Sequence, residues 1–124
     1  FASENYVRAE PSVTGSVLRE EMRKRGHTEA YIIKSDGQFY GKVSIYEVIE
    51  AADTTIKDFV DTRPLTLYSH DSLAEAMVRV SQFVGESLPV VNAETGELHG
   101  SLAEGELFQA VIDVQDQARS LERT

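Results

Sequence analysis

Three histidines, His27, His70 and His99, are the residues of this 124-residue chain best suited to hold a metal or move a proton near neutral pH. No two of them share the close spacing of a ligand pair, so no metal site is expected. The chain has no cysteine, which excludes disulfides, thiolate zinc sites and cysteine nucleophiles. Gly41-Lys42 is followed by Val43, so it is not a phosphate loop, and no Gly-x-Ser-x-Gly elbow exists. Twenty-one acidic residues form no catalytic motif, and the expectation is a protein that is not an enzyme. The formal net charge of −9 opposes nucleic acid, whose phosphates need Lys and Arg, so no nucleic-acid partner is expected. The one basic triplet, Arg23-Lys24-Arg25, reads first as the end of a helix, with Glu20–Lys24 and Glu21–Arg25 at i,i+4 spacing. Contact with phosphates is the other reading of that triplet.

Charge is uneven along the chain. Residues 1–42 carry seven Lys/Arg and six Asp/Glu, whereas 43–124 carry five and fifteen, giving +1 and −10. No apolar run approaches the roughly 18 residues of a membrane span. The chain begins at Phe1 without a signal-peptide pattern, as expected of a piece of a longer polypeptide.

An internal repeat organises the elements. Gly26, Gly37 and Gly41 recur 59 residues later as Gly85, Gly96 and Gly100, and Glu47 and Glu106 keep the same offset. In the second copy, 65–68 predicts a short strand, and Asp71 or Ser72 caps a helix, with Ser72 and Glu75 forming a capping box. Leu73, Ala76, Met77, Val80 and Val84 share one helical face, and Gly85 stands where a C-terminal cap belongs. Leu88-Pro89-Val90-Val91 and 98–102 predict two strands around a turn, and Leu107, Phe108 and Val111 begin a last helix. In the first copy, Val17, Leu18 and Met22 predict a helix, and Tyr31-Ile32-Ile33 a strand. Asp36-Gly37 marks the turn to a returning strand at 39–43. Ser44 and Glu47 then open a helix with Ile45, Val48, Ile49 and Ala52 on one face. The glycines align at 59 but Tyr31-Ile32-Ile33 aligns with Pro89-Val90-Val91 at 58, which requires a shorter loop before the second strand and a longer turn after it. Neither copy buries both faces of its small sheet alone, so the two are expected to pack together.

The run Leu88-Pro89-Val90-Val91, the turn at Gly96, then Gly100 and Glu106 resembles the cystathionine β-synthase (CBS) repeat, with its Pro-Val-Val strand and G-x-x-[ST]-x-x-D signature. The first copy has Gly41, Ser44 and Glu47 in that signature; the second has Gly100, Ala103 and Glu106, losing the hydroxyl. Tyr31 departs from the family's proline. The resemblance runs from about Tyr6 to Val114 and implies an α/β fold of tandem CBS repeats. Each is a small three-stranded sheet with flanking helices, packed with pseudo-two-fold symmetry. Residues 1–60 form the first repeat and 61–124 the second with its polar tail.

The Gly85-to-Val91 run, the short link and the acidic tail are similar to the cytosolic C-terminal region of CLC chloride channels and proton-coupled transporters. That resemblance implies a regulatory domain on the cytoplasmic side of the membrane, a homodimer, and a parent membrane domain before Phe1 that the basic triplet could touch. Met77, Val80, Leu107, Phe108 and Val111 lie on the helical faces such a dimer would use. It further implies a regulatory ligand, ATP, ADP or AMP, between the repeats. Carried over by position, His27 would stack on adenine with Thr28 beside it, Ser44 and Glu47 would form the matching edge of the first repeat, and Glu106 would accept the ribose hydroxyls. The alternatives are a ligand-free dimerisation scaffold, and a CBS module serving another transporter or a metabolic enzyme.

Overall fold

A computed structural model describes residues 5–82, 85–103 and 105–106. The first repeat runs β1 (Val7–Ala9), α1 (Gly15–Arg25), β2 (Glu29–Ile33), β3 (Phe39–Ser44) and α2 (Ile45–Ala51). After a 3₁₀ turn at Lys57–Phe59, the second runs β4 (Leu67–Tyr68), α3 (Leu73–Val80), β5 (Ser87–Val91) and β6 (Leu98–Ala103). Each repeat forms a three-stranded sheet, ordered β1-β2-β3 and β4-β5-β6. In both, the first pair is parallel and the second antiparallel. A helix joins the parallel strands because that connection must cross over, and a tight turn suffices for the antiparallel pair. The last helix expected from Leu107, Phe108 and Val111 lies outside the described residues.

Helix ends follow their capping residues. Thr14 Oγ1 accepts from Val17 N at 3.3 Å to start α1, and Gly26, at φ 70°, ends it. Capping boxes at Ser44–Glu47 and Ser72–Glu75 open α2 and α3. Ser72 is thus the cap, while Asp71 accepts from Tyr68 N at 2.8 Å and pairs with Arg79. Two expectations need correction. Helix α3 ends at Val80 rather than near Val84, and Gly85 is not its cap. Gly85, at φ 140°, lies against the other repeat, where an added Cβ would stand 2.9 Å from Glu29 Oε2. On α1, Glu20 pairs with Arg23 at i,i+3 instead of with Lys24.

The two alignments of the repeat are both present. Ile32 pairs with Gly41 and Ile33 with Phe39; Val90 pairs with Gly100 and Val91 with Leu98. Each pair of strands therefore carries an irregularity at the same place. The second turn, 92–97, is one residue longer than the first, 34–38, and absorbs the offset.

The larger core gathers Leu18 and Met22 of α1, Val48 and Ala51 of α2, the strand residues Val7, Ala30, Ile32 and Val43, and Ile56 of the link. The second core holds Leu67, Leu88, Val90 and Leu102. The apolar face predicted for α2 is rotated: Val48 and Ala51 are buried, and Ile49 is exposed. Helix α2 turns this way because α1 meets it at backbone distance across Gly15, whose Cβ would lie 2.9 Å from Ala52 N. The amide of Ser16 donates to Ala52 O at 2.7 Å, and Ala52 takes φ 50° at the helix end.

The link is equally tight. Lys42 and Asp61 exchange backbone hydrogen bonds of 3.0 and 2.9 Å, and Gly41 beside them leaves room for the crossing chain. A methyl group on Gly41 would run into the Asp61 carbonyl and stand 2.6 Å from Val60 Cγ1. Gly41→Ala should therefore cost about 1–3 kcal/mol in urea denaturation, the range of an overpacked core. Gly105→Ala, which meets nothing within 4 Å, should move stability by no more than about 0.5 kcal/mol. Equal effects at the two glycines would refute this reading of the link.

Candidate functional site

The repeats meet through equivalent residues. Gln38 and Glu97, 59 apart, pair as an isolated antiparallel bridge, and Phe39 N donates to Gly96 O at 2.9 Å. His27 and Glu86, also 59 apart, are joined through Nδ1 and Oε1. Contact between a residue and its own repeat mate is what a pseudo-two-fold axis running between them produces.

The richest polar cluster surrounds that axis. Helix α1 closes with Gly26 N donating to Arg23 O and His27 N to Met22 O, which throws His27 and Thr28 directly onto the start of β2. From the other repeat, Glu86 Oε2 accepts from Thr28 N at 2.9 Å, Thr28 Oγ1 at 3.1 Å and Glu29 N at 3.2 Å. Two successive backbone N–H groups form a small anion-binding concavity, here filled by a carboxylate of the same chain. The contact is reciprocal: Glu86 N donates to Glu29 Oε1 at 2.7 Å. Lys42 Nζ stands 2.9 Å from the same Glu29 oxygen and donates to Ser87 O at 2.8 Å. Partial burial pushes the Glu86 carboxyl up, but the hydrogen bonds from His27 and Thr28 outweigh it and hold the group below its ordinary value. Tyr31, the counterpart of Pro89 in the second repeat, is buried with its hydroxyl on Ser87 Oγ. Burial raises its pKa far above that of an ordinary phenol, and it remains neutral.

A cleft of about 170 Å³ opens beside this cluster, lined by Glu29, Lys42, Val43, Ser44, Glu47, Asp61, Pro64, Leu65 and Leu88. Residues of both repeats contribute, with Ser44 and Glu47 on one side and Leu65 and Leu88 on the other. Ser44 and Glu47 also serve each other: Ser44 N donates to Glu47 Oε1 at 3.0 Å, and Glu47 N to Ser44 Oγ at 3.4 Å. Larger open grooves, of about 760 and 620 Å³, lie against the first repeat and its link and draw no residue from the second repeat's strands. The small cleft is therefore the candidate.

Of the five residues singled out from the sequence, the structure brings Ser44 and Glu47 together in this cleft and sets His27 and Thr28 around Glu86. Glu106 stands exposed in the helical turn after β6, whose last residue Ala103 pairs with Ser87. Glu86, Glu29 and Lys42 were not anticipated. The signal was available for Glu86, which shares with His27 the 59-residue offset of the glycines. Among the described residues, no group of three or more His, Asp or Glu is arranged to hold a metal. No helix among them is long and apolar enough to cross a membrane.

Because folding lowers the Glu86 pKa, its stabilising contribution is present above the ordinary value of 4.5 and is lost as pH falls through the lowered one. Glu86→Gln should be less stable than the parent at about pH 6, and the gap should shrink by about pH 3.5. Denaturation curves at the two pH values check this; a gap that widens in acid would contradict it.

Residues 56–113 match the family model described as the CBS domain. No curated protein matches the chain by sequence. Among solved structures, a CBS domain pair/ACT domain protein from Thermotoga maritima is 20% identical, covering 91% of this chain and 93% of its own, with a TM-score of 0.79. CBSX2 in complex with AMP is 21% identical over 93% of this chain and 95% of its own, TM-score 0.75. The cytosolic domain of the Mg2+ channel MgtE in complex with ATP is 17% identical over 88% of this chain and 46% of its own, TM-score 0.76. With strand order, repeat offset and these matches in agreement, the chain has the α/β fold of a CBS domain pair.

Proposed function

We propose that this CBS pair, with repeats at 1–60 and 61–124, is a regulatory module that binds an adenine nucleotide between its repeats and catalyses no reaction. One observation carries the reading: a cleft walled by both repeats, with a hydroxyl and a carboxylate at the start of α2 facing apolar residues of the second repeat. Glu47 is placed to accept ribose hydroxyls, and Leu65 and Leu88 offer apolar surface to a base. At about 170 Å³ the cleft is smaller than the roughly 300–1,000 Å³ of common ligand pockets, so it would hold only part of a nucleotide and leave the phosphates outside. By the pseudo-two-fold relation, His27, Thr28 and Glu106 would serve the ligand on the opposite side of the repeat boundary. Solved relatives with AMP and with ATP support the ligand class. A ligand that touches both repeats favours one relative orientation and so biases whatever the module is attached to.

The finer reading is a cytoplasmic module of a CLC-type anion transporter, resting on the Gly85-to-Val91 run, the short link and the acidic tail. A transporter of another kind fits equally, since the MgtE cytosolic domain shares the fold. The helices expose Val17, Tyr46, Ile49 and Val78, with Met77 partly so, and we assign these faces to a homodimer. Light scattering at micromolar concentration should give twice the chain mass; a monomer at high concentration would count against the dimer. The ligand-free scaffold has its own supporting observations, the carboxylate of Glu86 on the Thr28 donors and Ala103 without a hydroxyl.

Calorimetric titration with ATP, ADP and AMP decides between them. Ligand at 100-fold its dissociation constant should add about 2.7 kcal/mol of stability, a melting shift of several degrees. Glu47→Gln preserves the capping box, for which Gln is a natural partner, but replaces a charged acceptor by a neutral one. It should weaken binding by about 1 kcal/mol while leaving stability nearly unchanged. No shift with any of the three nucleotides would leave the scaffold.

A further inference from the structure

Glu86 reaches across the repeats and fills the donors of the loop that leads into β2, next to Glu29 of the proposed binding cleft. The donors it holds, two successive backbone N–H groups, the Thr28 hydroxyl and the His27 ring, face the point where β2 begins. Any ligand atom that accepts hydrogen bonds from this loop must first displace the carboxylate. The displacement is feasible because the Glu86 side chain is 32% exposed, whereas that of His27 is 12% exposed. A released carboxylate reaches water while the loop stays in place. The rest of the contact does not depend on this side chain. Glu86 N still bonds Glu29, Lys42 still bonds Ser87 O, and Tyr31 still meets Ser87. The Ser44–Glu47 cleft has a different arrangement, its carboxylate turned onto its own helix end.

We propose that Glu86 is an intrachain gate on the His27–Thr28 donors, a stand-in for a ligand's acceptor atoms that must leave before a nucleoside can reach them. The Ser44–Glu47 cleft is then open, while the His27–Thr28 donors are held shut. This rests on the reading of the module as a nucleotide binder and adds to it how access to those donors is regulated.

The apparent dissociation constant of a gated cleft is the intrinsic one divided by the fraction open. With the gate closed nine times in ten, Glu86→Ala should bind AMP about 10-fold tighter at the His27–Thr28 donors, and Glu86→Gln, whose amide oxygen still accepts from the same amides, should gain less. Adenosine, which carries no phosphate, should gain as much, separating displacement from relief of charge repulsion. Titration calorimetry gives the affinities, and NMR amide exchange reports the site. The amides of Thr28 and Glu29 should be protected in the parent, exposed in Glu86→Ala and protected again by adenosine. Retained slow exchange at Ile32 and Val90 shows that the variants remain folded. Equal or weaker binding by the variants, with the parent binding through Ser44 and Glu47 alone, overturns the gate and keeps the nucleotide reading. A gain for AMP without one for adenosine also overturns it, since charge alone would explain that result. Binding by neither parent nor variant overturns both.

Discussion

Strands β2 and β5 are buried on both faces, and the rest of the molecule follows from that constraint. Ala30 and Ile32 of β2 point into the helix-covered core, while the alternate residues Tyr31 and Ile33 are buried without belonging to it. In β5, Leu88 and Val90 enter the second core, and Pro89 and Val91 are buried on the opposite face. A three-stranded sheet with helices on one side has no second layer of its own, so the other repeat supplies it. Burial of this kind is worth roughly 25 cal/mol per Å² of apolar surface, and neither half could recover it alone.

Joining two sheets also buries polar backbone at the strand starts, and those groups need partners. The solution is crossed carboxylates: Glu86 serves the amides of Thr28 and Glu29, and Glu29 serves the amide of Glu86. Lys42 balances the charge of Glu29, and the Tyr31 hydroxyl reaches Ser87. Among the described residues, no buried side-chain nitrogen or oxygen is left without a partner. Tyr31, which stands where the second repeat has Pro89, carries a side chain long enough to reach the second repeat. The same contacts lie at the edge of the cleft, so a ligand entering there acts directly on the bonds that hold the repeats in register.

Close backbone approach fixes the remaining geometry. Helices α1 and α2 touch across Gly15, and the link lies on β3 across Gly41. These contacts leave little freedom for the chain between Ser44 and Leu65, which is why both ends of that segment line one cleft. Helix α3 has no comparable glycine contact and exposes Val78, as a helix awaiting another layer would.

Local rules written in the sequence determined the repeat, the capping boxes at Ser44 and Ser72, and the one-residue difference between the two turns. Each depends on neighbouring residues, through cap hydrogen bonds, turn conformations and apolar periodicity. Ser44 and Glu47 could be named for the same reason, since a G-x-x-S-x-x-E run is itself local. Tertiary contact decided what periodicity could not. Helix α2 rotated Ile49 outward because Gly15 brought α1 against its other side, and Gly85 left its expected cap for the Glu29 carboxylate. Glu86 became the partner of His27 and Thr28 only when the pseudo-two-fold axis brought residues 59 apart into contact. A surface acid and an interface acid look alike along a chain; which one Glu86 is depends on the packing of one repeat against the other.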